Sequence, residues 1–222
     1  MSMVAAWLGG VVLLALSLNR WLDGQGRTDA ELMRKVVHIG TGNIILLAWW
    51  LHIPAAVGIG ASILFSLVTL LSYRFPLIPV LDSVGRKSLG TFFYAVSIGV
   101  LIALFWQTHP QYAAIGILVM TWGDGLAALI GQRWGRHIYK IGGIQKSWEG
   151  SLTMFTASYW VSAFVLLGVQ GAVWQTWVIP LAIALAATTL EAFSKLGVDN
   201  LTVPLGSAAL GFLLLEILNF GV

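Results

Sequence analysis

Apolar residues arrive along this chain in blocks of about 16 to 23, and about 20 residues rising about 1.5 Å each carry a helix across a hydrocarbon core of about 30 Å. Eight such blocks can be read, over residues 3–18, 36–51, 53–73, 89–106, 112–131, 147–167, 172–193 and 203–220. With 58% hydrophobic and only 9% charged residues, the 222-residue chain has too little polar surface to cover a water-soluble globule. Lipid is therefore the expected solvent. The expected fold is all-α, a polytopic transmembrane bundle of about eight spanning helices forming one integral membrane domain over residues 1–222. The first block lacks a positively charged leader and reads as a retained helix, not a signal peptide. There is no cysteine, which excludes disulfides and thiolate metal sites.

The charges sort to one face. Arg20, Arg27, Arg34 and Lys35 follow the first block, Arg74, Arg86 and Lys87 the third, Arg133, Arg136, Lys140 and Lys146 the fifth, and Lys195 the seventh. These are all 12 lysines and arginines, and the intervening turns carry none. By the positive-inside rule the charged loops are expected in the cytoplasm and both termini on the opposite side. An error of one helix would scatter the charges over both faces, so the partition also supports the helix count. Trp49, Trp50, Trp106, Trp174 and Trp177 fall at the uncharged ends, as an interfacial belt would. Of the nine acids, Glu216 alone lies toward that end. No nucleic-acid partner is expected; the bilayer itself is.

Four patches at the charged face could carry chemistry. Asp124 lies in Gly123-Asp-Gly125 near a membrane edge, where an ionisable group is costly unless paired, hydrated or metal-bound. It is read as a functional acid, with a carboxylate snorkelling to a cation such as Arg133 as the plainer reading. Gly123, Ala127, Gly131 and Gly135 recur every fourth residue and form a small-residue stripe that lets another helix approach closely. Next come Arg133, Arg136, Lys140 and Lys146 among glycines, ending in Lys146-Ser-Trp-Glu-Gly-Ser151 at a helix start. Such a stretch suits phosphate binding, and Glu149 within it suggests a magnesium bridge. The third patch joins Glu191 and Lys195, spaced as a surface i,i+4 pair, to Asp199 and Asn200; Asp199 has no local partner and is a candidate ligand. The fourth is Arg34-Lys35-Val-Val-His38, in which one helical turn puts Arg34 and His38 on the same side. A lone histidine in an apolar helix is more often a packing residue, so His38 by itself is the weakest of these candidates.

Taken together the four patches resemble the CTP-dependent lipid-alcohol kinases, a group that includes phytol kinases, dolichol kinases and CTP-dependent diacylglycerol kinases. The resemblance runs through Arg34-Lys35-Val-Val-His38, Gly123-Asp-Gly125 with Ala127 and Gly131, Lys146-Ser-Trp-Glu-Gly-Ser151 and Asp199-Asn-Leu-Thr-Val-Pro204, covering about residues 31–211. It implies transfer of the γ-phosphoryl group of CTP to the hydroxyl of an isoprenoid or other lipid alcohol, with Mg2+ as cofactor. Carried onto this chain, it implies Asp124, His38 and Lys146 as catalytic residues and Asp124, Glu149 and Asp199 as metal ligands. Arg34, Lys35, Arg133, Arg136, Lys140, Lys146, Ser147 and Asn200 are then expected at the nucleotide. Dolichol kinases are commonly longer, which points to the smaller phytol-kinase type. Relatives often carry two adjacent acids where this chain has Val198-Asp199.

Two other readings compete. A phosphatidate-type cytidylyltransferase also combines CTP, metal and lipid, but releases pyrophosphate where a kinase releases CDP. A small secondary transporter would place polar sites and broken helices at the midplane and show an internal repeat, whereas here the midplanes are apolar and the charges lie at one edge.

Overall fold

The computed structural model describes residues 2–24, 29–73 and 89–219. Arg27, Arg74, Arg86 and Lys87 lie outside the described residues. The chain is a helical bundle, as its apolar blocks require. Among the described residues six helices are long and apolar enough to cross a membrane, and Gly90–Phe105 is a shorter apolar helix. In chain order the elements are α1 (Ser2–Gly24), α2 (Ala30–Gly42), α3 (Ile44–Trp50), α4 (Ala55–Ser72), α5 (Gly90–Phe105) and α6 (Pro110–Leu118). A π-helical segment (Val119–Asp124) then leads into α7 (Gly125–Trp134), a hairpin of β1 (Ile138–Ile141) and β2 (Ile144–Ser147), α8 (Trp148–Gln170), α9 (Trp174–Phe193) and α10 (Asp199–Asn219).

Two departures from the sequence reading matter for function. The block at 36–51 is not one spanning helix but two, α2 and α3, broken at Gly42-Asn43. Two glycines in Gly40-Thr-Gly42 weaken the helix, and the Asn43 side chain donates to the Ile39 carbonyl at 2.7 Å, competing with the backbone ladder. The glycines are required by packing. A Cβ on Gly42 would sit 2.1 Å from Thr121 Oγ1, and one on Gly40 would sit 2.6 Å from Val11 of α1. The charged loop after α7 is the second departure, because it pairs as an antiparallel hairpin with Tyr139 opposite Lys146 and Lys140 opposite Gln145. Its two-residue turn, Gly142-Gly143, has φ of +55° and +84°, the left-handed pair that a tight primed turn demands and that glycine adopts without steric cost.

The core is the long element from Pro110 to Trp134. Residues 112–120 are buried without interruption, with Ala113, Ala114, Ile115, Val119 and Met120 fully shielded. Packing around it uses small residues, as the stripe predicts. A Cβ on Gly123 would lie 2.6 Å from Met154 Sδ of α8, one on Gly131 3.0 Å from Ser147 Oγ, and one on Gly116 2.4 Å from the Pro204 carbonyl of α10. Van der Waals contact replaces the hydrophobic effect as the force between helices in lipid, so close backbone approach is what holds such a bundle. Of the polar atoms drawn into the core, Thr121 Oγ1 bonds the Ile117 carbonyl at 2.7 Å and the Tyr94 hydroxyl lies 2.6 Å from Thr121 Oγ1, whereas the buried hydroxyls of Ser158 and Ser207 have no hydrogen-bond partner.

Candidate active site

The π-helical segment ends on Asp124. A π turn adds a residue to the helical repeat and so rotates the side chains that follow it relative to those before, a device frequent at functional sites. Asp124 meets α2, where Lys35 donates from Nζ to its Oδ2 across 89 residues of sequence. Lys35 is only 2% exposed, so this ammonium is held in the protein interior by the carboxylate it faces. The ring of His38 lies one turn further along α2, 5.0 Å from the Tyr94 ring. The Met120 carbonyl approaches that ring, yet no well-formed hydrogen bond reaches the buried Nε2.

A second pair completes the cluster. Lys146 on β2 donates from Nζ to Glu191 Oε1 near the end of α9, and Glu191 is 6% exposed. Asp199 opens α10, its backbone N–H donating to Ser194 Oγ and its Oδ1 accepting from the backbone and side chain of Asn200 at 3.1 and 3.2 Å. Among the described residues Asp199 makes no salt bridge. Asp124, Glu191 and Asp199 repel one another electrostatically, while Arg34 attracts both Asp124 and Asp199, and Lys146 attracts Asp199 as well as Glu191. Five separate segments thus bring Arg34, Lys35, His38, Asp124, Lys146, Glu191, Asp199 and Asn200 into one electrostatic neighbourhood at one end of the bundle.

Other expected site residues stand elsewhere. Glu149, expected beside Asp124 and Asp199, turns to the base of the hairpin, where its Oε1 lies 2.7 Å from His137 Nδ1 and accepts from the His137 N–H at 3.2 Å. The reason is local, since Glu149 lies in the first turn of α8 beside the returning hairpin strand. Ser147 caps that helix, its Oγ accepting from Gly150 N at 3.1 Å, and packs against Gly131 and Gly135. Arg133 pairs with Asp29 at 2.9 Å, so it is not the snorkelling partner of Asp124. Arg34 bonds Glu31 at 2.6 Å. Arg136 and Lys140 are exposed on the hairpin arm.

Sequence reasoning undervalued Glu191. Its spacing suggested a surface pair with Lys195, but Lys195 reaches over the hairpin turn, 3.4 Å from where a Cβ on Gly142 would stand. The available signal was an acid closing the apolar run Leu181-Ala-Ile-Ala-Leu-Ala-Ala187, a position where a carboxylate needs a partner.

A divalent cation suits the donor set in kind, since the clustered acids offer hard oxygens. Among the described residues, no three of His, Asp and Glu lie close enough to hold a metal by themselves. Magnesium usually takes one or two carboxylates and fills its shell with phosphate oxygens and water.

No family model and no solved structure matches this chain. Individual relatives do. A protein of Synechocystis sp. named phytol kinase is 51% identical over 211 residues, spanning 95% of this chain and 89% of its own length. The chain belongs to the phytol kinase family. Within that family a probable chloroplastic phytol kinase 1 of Oryza sativa subsp. japonica is 30% identical, covering 90% of this chain and 70% of the relative. A chloroplastic farnesol kinase of Arabidopsis thaliana is 31% identical, covering 86% and 67%. Of the lipid-alcohol kinases that the motifs resemble, the phytol-kinase type is therefore the one to which the whole chain corresponds.

Proposed function

We propose that this protein is a membrane-embedded kinase that transfers the γ-phosphoryl group of CTP to the hydroxyl of an isoprenoid alcohol such as phytol or farnesol. The relatives named phytol kinase and farnesol kinase support the acceptor class. The observation that carries the site is the convergence of Asp124, Asp199, Lys35, Lys146 and Arg34 at one end of an apolar bundle. In the reaction the bond from the γ-phosphorus to the β,γ-bridging oxygen breaks and a bond to the alcohol oxygen forms. The hydroxyl proton leaves, and the products are the lipid phosphate and CDP. Most of the catalytic effect is alignment and charge stabilisation.

Lys146 and Arg34 neutralise the phosphates as the nucleotide seats, with the exposed Arg136 and Lys140 of the hairpin steering it. Lys35 holds Asp124 in one orientation. Asp124 and Asp199 would hold Mg2+, which would offset the negative charge of the phosphates. Glu149 belongs to the hairpin base in this reading, and Ser147 supports the helix start from which Lys146 is presented. His38, whose buried Nε2 lies inside the field of Asp124, is the residue we assign to receive the hydroxyl proton. The nucleotide is polar and the alcohol is not, so the two meet where the charged end of the bundle adjoins the lipid.

The test is purified protein with γ-labelled CTP, magnesium and a panel of geraniol, farnesol, phytol, longer polyprenols and diacylglycerol. Labelled prenyl phosphate with stoichiometric CDP is the expected result. Pyrophosphate release marks a cytidylyltransferase, and label on diacylglycerol alone moves the acceptor to glycerolipids.

The same reading places the charged end in the cytoplasm. The chain has no cysteine, so Gln145→Cys on the hairpin and Thr108→Cys at the opposite end report cleanly on sidedness. An impermeant thiol reagent is expected to label position 145 only from the cytoplasmic side and position 108 only from the other. Labelling of both from one side contradicts the arrangement.

A further inference from the structure

The hairpin that carries Lys146 is too small to hold its own position. Its strands are four residues each, and a two-stranded hairpin alone is at best marginally stable in water, so what it docks against fixes it. The dock is the start of α8. At the hairpin base the His137 carbonyl accepts from the Trp148 N–H at 2.9 Å, and His137 Nδ1 meets Glu149. Two residues further along, on β1, the Tyr139 hydroxyl lies 2.7 Å from Ser151 Oγ, and the Tyr139 ring packs on that of Trp148 with centroids 5.1 Å apart.

Register sets Tyr139 apart from the other contacts. It stands directly opposite Lys146, and opposed residues on antiparallel strands share a face, with Cβ atoms about 4.5–5.5 Å apart. From that one face the two side chains reach different helices: Lys146 runs to Glu191 near the end of α9, and Tyr139 to Ser151 on α8. Only one of these tethers can persist through a catalytic cycle. The Lys146 ammonium must turn from Glu191 to take a phosphate, whereas nothing in that exchange breaks the bond between Tyr139 and Ser151. The pair of His137 and Glu149 is a poor substitute, since the His137 side chain is 79% exposed and water weakens such a contact. Ser151 is buried, so its bond is shielded.

We infer that Tyr139 and Ser151 are positioning residues for the nucleotide: their hydrogen bond holds β1, and with it Lys146 on the paired strand, in a fixed place while the ammonium exchanges Glu191 for phosphate. The inference rests on the kinase reading above, with Lys146 at the phosphates, and adds to it what presents that lysine. Neither residue has to touch nucleotide or alcohol. A lysine is a point charge on a flexible four-carbon stem, so the strand from which the stem starts decides where the charge can go. Misplacing such a group by about 1 Å can cost about 10²-fold in rate. The effect is selective, because a loosened strand weakens the phosphate contact and leaves the acceptor alone.

The test removes the hydrogen bond from either side in the full-length protein and measures KM for CTP and for phytol separately. Tyr139→Phe keeps the ring against Trp148 and deletes only the hydroxyl; Ser151→Ala deletes the partner and serves alone should the first variant fail to accumulate. Each is expected to raise the KM for CTP about threefold to tenfold, the range that one hydrogen bond of ordinary net strength spans, and to leave the KM for phytol unchanged. Tyr139→Phe with Ser151→Ala should be no worse than either alone, because both remove the same bond. The decisive background is Lys146→Ala, in which Tyr139→Phe should have no further effect on the KM for CTP. If wild-type protein phosphorylates phytol but both variants keep the wild-type KM for CTP, or raise it by the same factor when Lys146 is already gone, the bond does not act through Lys146 and the inference falls while the kinase reading stands. A rise in the KM for phytol alone overturns it equally. If wild-type protein phosphorylates no prenyl alcohol, the kinase reading falls and takes this inference with it.

Discussion

Asp124→Asn should lower CTP-dependent phosphorylation of a prenyl alcohol by about 10²–10³-fold, the scale seen when one electrostatic contact to a transition state is removed. The substitution keeps the shape of the side chain and deletes its charge, so any metal held there loses a ligand. The difficulty is Lys35. With its ammonium buried and the carboxylate gone, the interior is left with an unpaired charge, a defect that costs about 3–5 kcal/mol when a buried pair is broken from one side. The single variant therefore needs a companion, Lys35→Met with Asp124→Asn, which removes both charges and restores packing. The double variant is expected to be as folded as wild type by detergent-resistant size-exclusion profile and thermal melting, and still inactive. Glu216→Gln, at the opposite end of α10, should keep normal turnover. A folded Lys35→Met/Asp124→Asn protein with near-normal activity across a magnesium titration would make Asp124 a packing residue and remove it from the site.

Lys146→Ala should raise the KM for CTP about tenfold or more and lower kcat as well, since a phosphate contact that tightens in the transition state acts on both. The KM for the alcohol should change little. Because Lys146 also neutralises Glu191, the effect has two possible origins, and a cycle separates them. If Lys146 serves only to offset Glu191, then Glu191→Gln with Lys146→Ala restores the affinity for CTP. If Lys146 contacts the phosphates, the double variant stays as defective as Lys146→Ala, and Glu191→Gln alone tightens CTP binding by freeing the ammonium and removing a carboxylate that repels the nucleotide. Restoration in the double variant would reassign Lys146 to supporting the fold at the end of α9.

Much of the architecture was legible from local pattern. Apolar runs long enough to cross a bilayer must become helices, because lipid offers their backbone groups no partner. The four-residue recurrence of Gly123, Ala127 and Gly131 announced a close helix contact that the Met154 and Ser147 neighbours supply. Two local signals were misleading. The 36–51 run looks continuous in hydropathy, but Gly42 and Asn43 answer to Thr121 and Trp122 on another element, and the helix breaks there. The glycines among Arg136, Lys140 and Lys146 suit a phosphate-binding stretch but gave no sign of a hairpin, whereas Gly142-Gly143 closes one that returns Lys146 to the bundle.

By itself the sequence determined the apolar helices and the candidate acids and cations, because each follows from neighbours a few residues away. Only the tertiary structure decided which acid stands with which cation. Lys35 finds Asp124 across 89 residues and Lys146 finds Glu191 across 45, and those distances are set by how the helices pack, not by any spacing along the chain. Glu149 and Glu191 show the same point from opposite sides. Both acids lie near the end of an apolar helix, yet one is captured by the His137 of its own hairpin and the other is drawn into the cluster by a strand that folds back over it.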